Sequence, residues 1–158
     1  MTRLLGAGIF CVFLFAALYA YRKENARRLS EYRGLCRLVG HISRSLSEIP
    51  IPLERIYADF EDAALSRTEF LTLLRRAGLA TALTEGELHL TEEELSPFLS
   101  YAKELGMRLY AEERKEAARL SAEAEKRLSL MEAAMPQKQR LTITLTLTGG
   151  ALLLLLLL

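Results

Sequence analysis

Cysteine and histidine are scarce, with two of each in 158 residues. Two cysteines cannot build a disulfide framework. Cys11 lies in an uncharged run and Cys36 on a helical pattern, so both are expected as packing residues. His41 and His89 have no cysteine or second histidine at ligand spacing, so no metal site is expected. The phosphate-cradling G-x-x-x-x-G-K-[ST] loop is missing, and so is the G-x-S-x-G nucleophile elbow. Carboxylates do cluster, at Glu92, Glu93 and Glu94 and at Glu112, Glu113 and Glu116. On charged helical faces such groups are expected to be solvated. No nucleophile–base pair is present, so no enzyme activity, cofactor, small-molecule substrate or catalytic residue is expected.

Charge is missing from both ends. All 20 Asp and Glu residues fall between Arg22 and Arg140, as do all the Lys and Arg except Arg3, so the middle is densely charged yet neutral. A nucleic-acid binder would carry a basic domain or stripe, and this middle has none. Its apolar residues are numerous and spaced for packing, which argues against disorder.

The uncharged ends have membrane-span length. Residues 4–21, LLGAGIFCVFLFAALYAY, and 141–158, LTITLTLTGGALLLLLLL, each run 18 residues without a charge. An 18-residue helix is about 27 Å long, close to the hydrocarbon thickness. The competing reading of the first stretch is a cleaved signal peptide. Ala20 has Leu18 rather than a small residue two positions before it, and Arg22 and Lys23 follow as a stop-transfer flank, so a retained span is expected. Tyr19 and Tyr21 suit the membrane–water interface. The alternating Thr and Leu of the second stretch resemble a strand, but a lone strand in lipid leaves its backbone unpaired, whereas a helix does not. On that helix Thr142, Thr146 and Gly150 form a small-residue stripe. The stripe fits close approach of the first span, or simply lipid-facing threonines bonded back to their own helix. Arg22, Lys23, Arg27, Arg28, Arg33 and Arg37 follow the first span, and Lys126, Arg127, Lys138 and Arg140 precede the second. The excess of cations places the middle in the cytoplasm and both termini outside.

The middle, residues 26–136, is expected to be an α-helical domain. Leu29, Tyr32, Leu35, Cys36, Val39, Ile42, Leu46 and Ile49 recur at three- and four-residue steps, an amphipathic helix that Pro50 and Pro52 end. A second helix begins at Pro52 or just after, with Leu53, Ile56, Tyr57 and Phe60 on one face. Ser66 and Glu69 have capping-box spacing ahead of Phe70, Leu73 and Leu74, and Gly78 suits a C-cap. Residues 79–90 are read as a turn of helix, then a loop at Glu85-Gly86-Glu87. Thr91 and Glu94 form another capping box, with Ser96-Pro97 as a competing start. That helix continues to about Leu105, where Gly106 ends or kinks it. The last helix, Leu109 to Met135, carries a stripe of Leu109, Ala117, Leu120, Ala124, Leu128, Met131 and Met135, a Glu123–Arg127 pair at i, i+4, and Pro136 as its breaker. No strand is signalled. The fold class is all-α: a helical bundle flanked by an N-terminal and a C-terminal transmembrane helix.

Two segments carry a family resemblance. LVGHISRSLSEIPIPLERIYADFED covers Leu38 to Asp62. The second runs from Glu92-Glu93-Glu94-Leu95 through Leu105-Gly106 to AMPQKQRL and TGGALLLLLLL. Together with one span at each end, they resemble the stage III sporulation protein AB family. There an I-x-x-x-[IL] helix leads to a P-L-x-x-I-[FY] helix, matched here by Pro52-Leu53-Glu54-Arg55-Ile56-Tyr57. A later helix ends in L-G, and Gly149-Gly150 lies where the final span's glycine belongs. One departure stands at Met107-Arg108-Leu109, where the family carries a polar, Asp-bearing turn.

The resemblance implies a component of the multiprotein channel that links mother cell and forespore during endospore formation. It implies a cytoplasmic domain similar to the platform domains of type II secretion machines. The partners implied are a cytoplasmic ATPase like stage III sporulation protein AA, other membrane channel subunits and the lipid bilayer, in the mother-cell membrane around the forespore. The alternative is a small two-span adaptor or sensor with a helical cytoplasmic output domain.

Overall fold

The computed structural model describes the backbone of residues 2–48 and 51–157, and the side chains of 12–47, 51–137 and 140–150. The described residues form α1 (Thr2–Glu48), α2 (Leu53–Ala58), a 3-10 turn (Leu65–Arg67), α3 (Phe70–Ala77), α4 (Leu79–Glu85), α5 (Glu92–Glu104) and α6 (Tyr110–Leu157), with no strand among them. The fold is all-α. It divides into two compact units, one of Met1–Ala26 with Leu130–Leu158 and one of Arg27–Ser129. Among the described residues no helix is long and apolar enough to cross a membrane. The side chains of 1–11 and 151–158, which make up much of the two expected spans, lie outside the described residues, as do Ile49 and Pro50.

The 27–129 unit is built around one face of α1. Tyr32, Leu35, Cys36, Leu38, Val39, Ile42 and Leu46 are all buried there, as the three- and four-residue spacing requires. Tyr32 meets the Phe98 ring of α5 edge-on, with centroids 5.6 Å apart. Burial, reinforced by nearby Cys36, pushes the Tyr32 phenol up to about 12. From α6 the core receives Ala117, Leu120 and Ala124. The stripe expected on α6 is shorter than its spacing suggested: Leu109 is exposed, and Leu128, Met131 and Met135 are only half-buried. The short helices α2 to α4 add Ile56, Tyr57, Phe70, Leu74, Leu79 and Leu83.

Local signals set several boundaries. Gly78 takes φ of +87°, a conformation costly for a side-chain-bearing residue, and its N–H caps Leu74 at 3.1 Å before α4 begins at once. Helix α4 extends to Glu85, so helix occupies more of 79–90 than expected. The Thr91–Glu94 capping box forms in both directions, and Pro97 lies inside α5 rather than starting it.

Two expected boundaries are overturned. The Ser66–Glu69 box does not form. Ser66 instead lies in the 3-10 turn, because Asp62 Oδ1 accepts the N–H groups of Ala64 (2.9 Å) and Leu65 (3.1 Å) and tightens the chain there. Helix α3 starts later, at Phe70, whose N–H reaches the Thr68 hydroxyl at 3.3 Å. Pro136 does not break α6, which runs through it to Leu157. A proline forfeits one backbone bond, and the intact turns on either side keep the helix continuous.

In the other unit one stripe threonine, Thr146, is bonded back to its own helix, as are Thr144 and Thr148 outside the stripe. Thr144, Thr146 and Thr148 hydroxyls each donate to the carbonyl four residues back, at 2.9, 2.8 and 2.7 Å. Gly150 also approaches α1 closely: a Cβ there would lie 2.7 Å from Leu14 Cδ1.

Candidate docking site at the α5–α6 turn

Four carboxylates that the sequence placed on charged surfaces, or did not single out, are buried: Glu31, Asp62, Glu94 and Glu113. A buried carboxylate is costly unless charged or hydrogen-bonded partners meet it, so each one marks a built arrangement. Three are fully engaged. Glu94 takes a two-pronged grip from Arg28, at 2.9 and 2.8 Å, while closing the capping box with Thr91 N–H at 2.9 Å. Burial works to raise the Glu94 carboxyl, but the bonds from Arg28 and Thr91 outweigh it and hold it below its ordinary value. Glu31 accepts from Arg27 (3.2 Å) and from the His89 backbone N–H (2.6 Å), and lies 3.1 Å from His89 Nδ1. Asp62 binds Arg37 at 2.7 Å besides capping the 3-10 turn. These contacts join α1 to α5, to the 86–91 loop and to the 3-10 turn. Their role is architectural.

Glu113 is different. It sits in the first turn of α6, four residues before Ala117 and on the same inward face. The chain reaches that position by a tight reversal. Helix α5 stops at Glu104, Leu105 turns extended, and Gly106 adopts φ of +84°. Helix α6 then opens with the N–H groups of Glu112 and Glu113 on Leu109 O, both at 2.9 Å. Gly106 therefore ends the helix rather than kinking it.

The reversal leaves Glu113 with only 5 % of its surface exposed. Its Oε2 accepts the Gly106 N–H at 3.3 Å. Arg108 Nη1 is buried and has no hydrogen bond. Burial, then the charge of Glu113 and hydrogen bonding with its carboxylate, push the Tyr101 phenol well above its ordinary range, so these two buried groups adjoin each other. Tyr57 is pushed up by burial and by Glu54 and Glu113 in the same way. Arg108 also pairs outward with Glu104, and the Tyr110 hydroxyl donates to Leu46 O, tying the start of α6 to α1.

These residues border a hollow of about 390 Å³, lined by Leu46, Ile51, Pro52 and Leu53 on one side and Gly106, Arg108, Tyr110 and Glu113 on the other. That volume is within the usual range of about 300–1,000 Å³ for specific pockets. At the turn itself Met107 and Leu109 stand 83 % and 74 % exposed. An apolar wall and bare apolar side chains beside it suit recognition.

A second hollow of about 360 Å³ lies where Gly40 of α1 faces Ser121 of α6, bordered by Arg33, Arg37, Arg44 and Glu125. Its cations are engaged: Arg37 holds Asp62 and Arg44 Nε donates to Gly40 O at 3.3 Å. The expected Glu123–Arg127 pair is replaced as well. Arg119 takes Glu123 at 3.0 Å together with Glu116, while Arg127 donates to Glu93 O at 3.2 Å. Among the described residues no three His, Cys, Asp or Glu side chains gather to hold a metal ion. His41 lies beside the Phe60 ring with a buried, unpartnered Nε2, and Cys36 is a buried free thiol.

Comparison with protein-family models, curated proteins and solved structures finds no match for this chain.

Proposed function

We propose that the chain is a membrane-tethered docking platform that recruits and stimulates a cytoplasmic secretion-type ATPase, within the mother cell–forespore channel of endospore formation. The observation that carries this reading is the pairing of two uncharged 18-residue ends with a neutral, densely charged all-α middle. Residues 4–21 and 141–158 serve as the two spans, with the 27–129 unit in the cytoplasm and both termini outside, the direction favoured by the Lys and Arg next to each span. The resemblance to the stage III sporulation protein AB family supplies the channel and the ATPase. The apolar hollow beside Glu113 and the exposed Met107 and Leu109 suit a protein that works by holding a partner.

The test is co-purification of the whole chain, in detergent, with the ATPase of the same cell, together with its ATP turnover. Stable binding and faster turnover are expected. Absence of both removes the platform reading.

A further inference from the structure

We propose that the groove between α1 and α6 at Gly40 is a second docking surface, one that holds an acidic segment of a partner protein; the inference rests on the docking-platform reading. Carboxylates of that segment pair with Arg33, Arg37 and Arg44, and an aliphatic side chain between them rests against Leu128.

The groove follows from two ridges. Arg33, Arg37, Gly40 and Arg44 are spaced i, i+4, i+7, i+11, which puts them in one row along α1. Ser121, Glu125 and Leu128 form the matching row on α6. Where the rows meet, both residues are small: a Cβ on Gly40 would come only within 3.6 Å of Ser121 Oγ. The helices therefore leave a hollow of about 360 Å³ there, with cations along its α1 side. All three arginines are exposed. Arg37 spends Nη2 on Asp62 with its side chain still 58 % exposed, and Arg44 spends Nε on Gly40 O. A guanidinium carries several N–H donors, so both keep others for a ligand. The Ser43 and Ser121 hydroxyls line the hollow too and can donate alongside them.

Charge and length select the occupant. The lining carries three cations against one carboxylate, Glu125, within a middle segment that is neutral over its whole length. Even with Asp62, the partner of Arg37, added to the count, three cations stand against two carboxylates. From Arg33 to Arg44 the row rises about 16 Å, at about 1.5 Å per residue, which suits several charges carried on one chain rather than a lone anion. A nucleic acid, charged at every residue, would meet Glu125 and find no basic surface to continue on. A bilayer surface is too flat to enter a hollow. A peptide with acidic side chains around an aliphatic one matches the cations, the hydroxyls and Leu128 together. The fold already uses a two-pronged guanidinium–carboxylate pair at Arg28 and Glu94.

The experiment uses the whole chain in nanodiscs of zwitterionic lipid. The probe is acetyl-Glu-Leu-Glu-Glu amide, with acetyl-Gln-Leu-Gln-Gln amide as its uncharged twin. The acidic probe is expected to shift the Nε–Hε resonances of Arg33, Arg37 and Arg44 and the Gly40 amide, to weaken as salt rises, and to compete with the ATPase. Arg33→Gln and Arg44→Gln are each expected to weaken probe and ATPase binding about two- to fivefold. Lys115→Gln, the same change of charge at an exposed position of α6 outside the hollow, is expected to leave both as in wild type. Arg37 is kept, because it also holds Asp62. If the ATPase binds the Arg33 and Arg44 variants as it binds wild type, the groove is not its dock, while the platform reading stands. If the probe behaves as expected but the ATPase binds no form of the chain, the groove takes acidic peptide and the named partner is wrong. Equal losses from Lys115→Gln, equal shifts from the uncharged twin, or tighter binding of inorganic phosphate or a single-stranded oligonucleotide would overturn the assignment. So would a wild-type chain that ignores the acidic probe, a result that needs no variant to fold.

Discussion

Two glycines on the same helix should respond to alanine with opposite sign. At Gly34 an added Cβ would lie 2.8 Å from Leu65 Cγ, 3.0 Å from Asp62 Oδ1 and 3.2 Å from Leu65 Cδ1. Neither neighbour is free to withdraw. Leu65 is 0 % exposed, and the Asp62 carboxylate is pinned by the N–H groups of Ala64 and Leu65 and by Arg37. Overpacking of this kind destabilises by about 1–3 kcal/mol, and loosening a capping carboxylate adds about 0.5–2 kcal/mol. Alanine returns about 1 kcal/mol through helix propensity. Gly34→Ala should therefore lose about 0.5–4 kcal/mol on balance. At Gly40 the same Cβ would meet only Ser121 Oγ at 3.6 Å, an ordinary contact, so Gly40→Ala should keep the propensity gain of about 1 kcal/mol.

Thermal melts followed by far-UV circular dichroism measure the contrast. At about 4–8 °C per kcal/mol for a unit of this size, Gly34→Ala should melt several degrees below wild type and Gly40→Ala several degrees above it. Hydrogen exchange gives a local readout. The Ala64 and Leu65 amides should lose protection in Gly34→Ala alone, because their acceptor is the atom displaced. A Gly34→Ala protein as stable as Gly40→Ala, with those amides still protected, would refute the close approach of α1 to the 3-10 turn.

Glu94 should set a pH dependence, because its carboxyl is held below the ordinary value of 4.5 in the folded chain. The unfolded chain binds that proton first, so the stabilisation is complete above about pH 4.5 and fades as pH falls through the folded value. Glu94→Gln should lose about 1.5–3 kcal/mol near neutrality and flatten this acid slope in urea titrations; an unchanged slope would show that Arg28 and Thr91 do not hold the carboxylate. The orientation proposed for the two ends is checked with reporter fusions after residues 24 and 138. Both should report cytoplasm, and an extracytoplasmic signal from either would remove contact with a cytosolic ATPase.

Much of the all-α fold was legible because helices are short-range objects. The three- and four-residue spacing of Tyr32, Leu35, Val39 and Ile42 places these side chains on one face whatever lies opposite. The Thr91–Glu94 box and the Gly78 cap close within three or four residues and were readable for the same reason. The Ser66–Glu69 box has identical spacing and still failed, since Asp62, outside the motif, claimed the N–H groups that shape the turn. Pro136 marks a second limit, because flanking turns decide whether one missing bond ends a helix.

The site was not legible. Glu112, Glu113 and Glu116 look alike in a row of charges, yet only Glu113 turns inward, and it does so because Gly106 reverses the chain and sets the rotation of α6. Its neighbours in the hollow come from the ends of α1, α2 and α6, and no local spacing relates Leu46 to Tyr110. Likewise Arg28 and Glu94 are 66 residues apart, and Glu31 and His89 are 58. By itself the sequence determined which segments are helical, which faces are apolar and where charge is excluded, because each follows from bonds and periods of a few residues. Only the tertiary structure decided which carboxylates are buried and which groups meet each of them, because desolvation depends on what the other helices bring to each side chain.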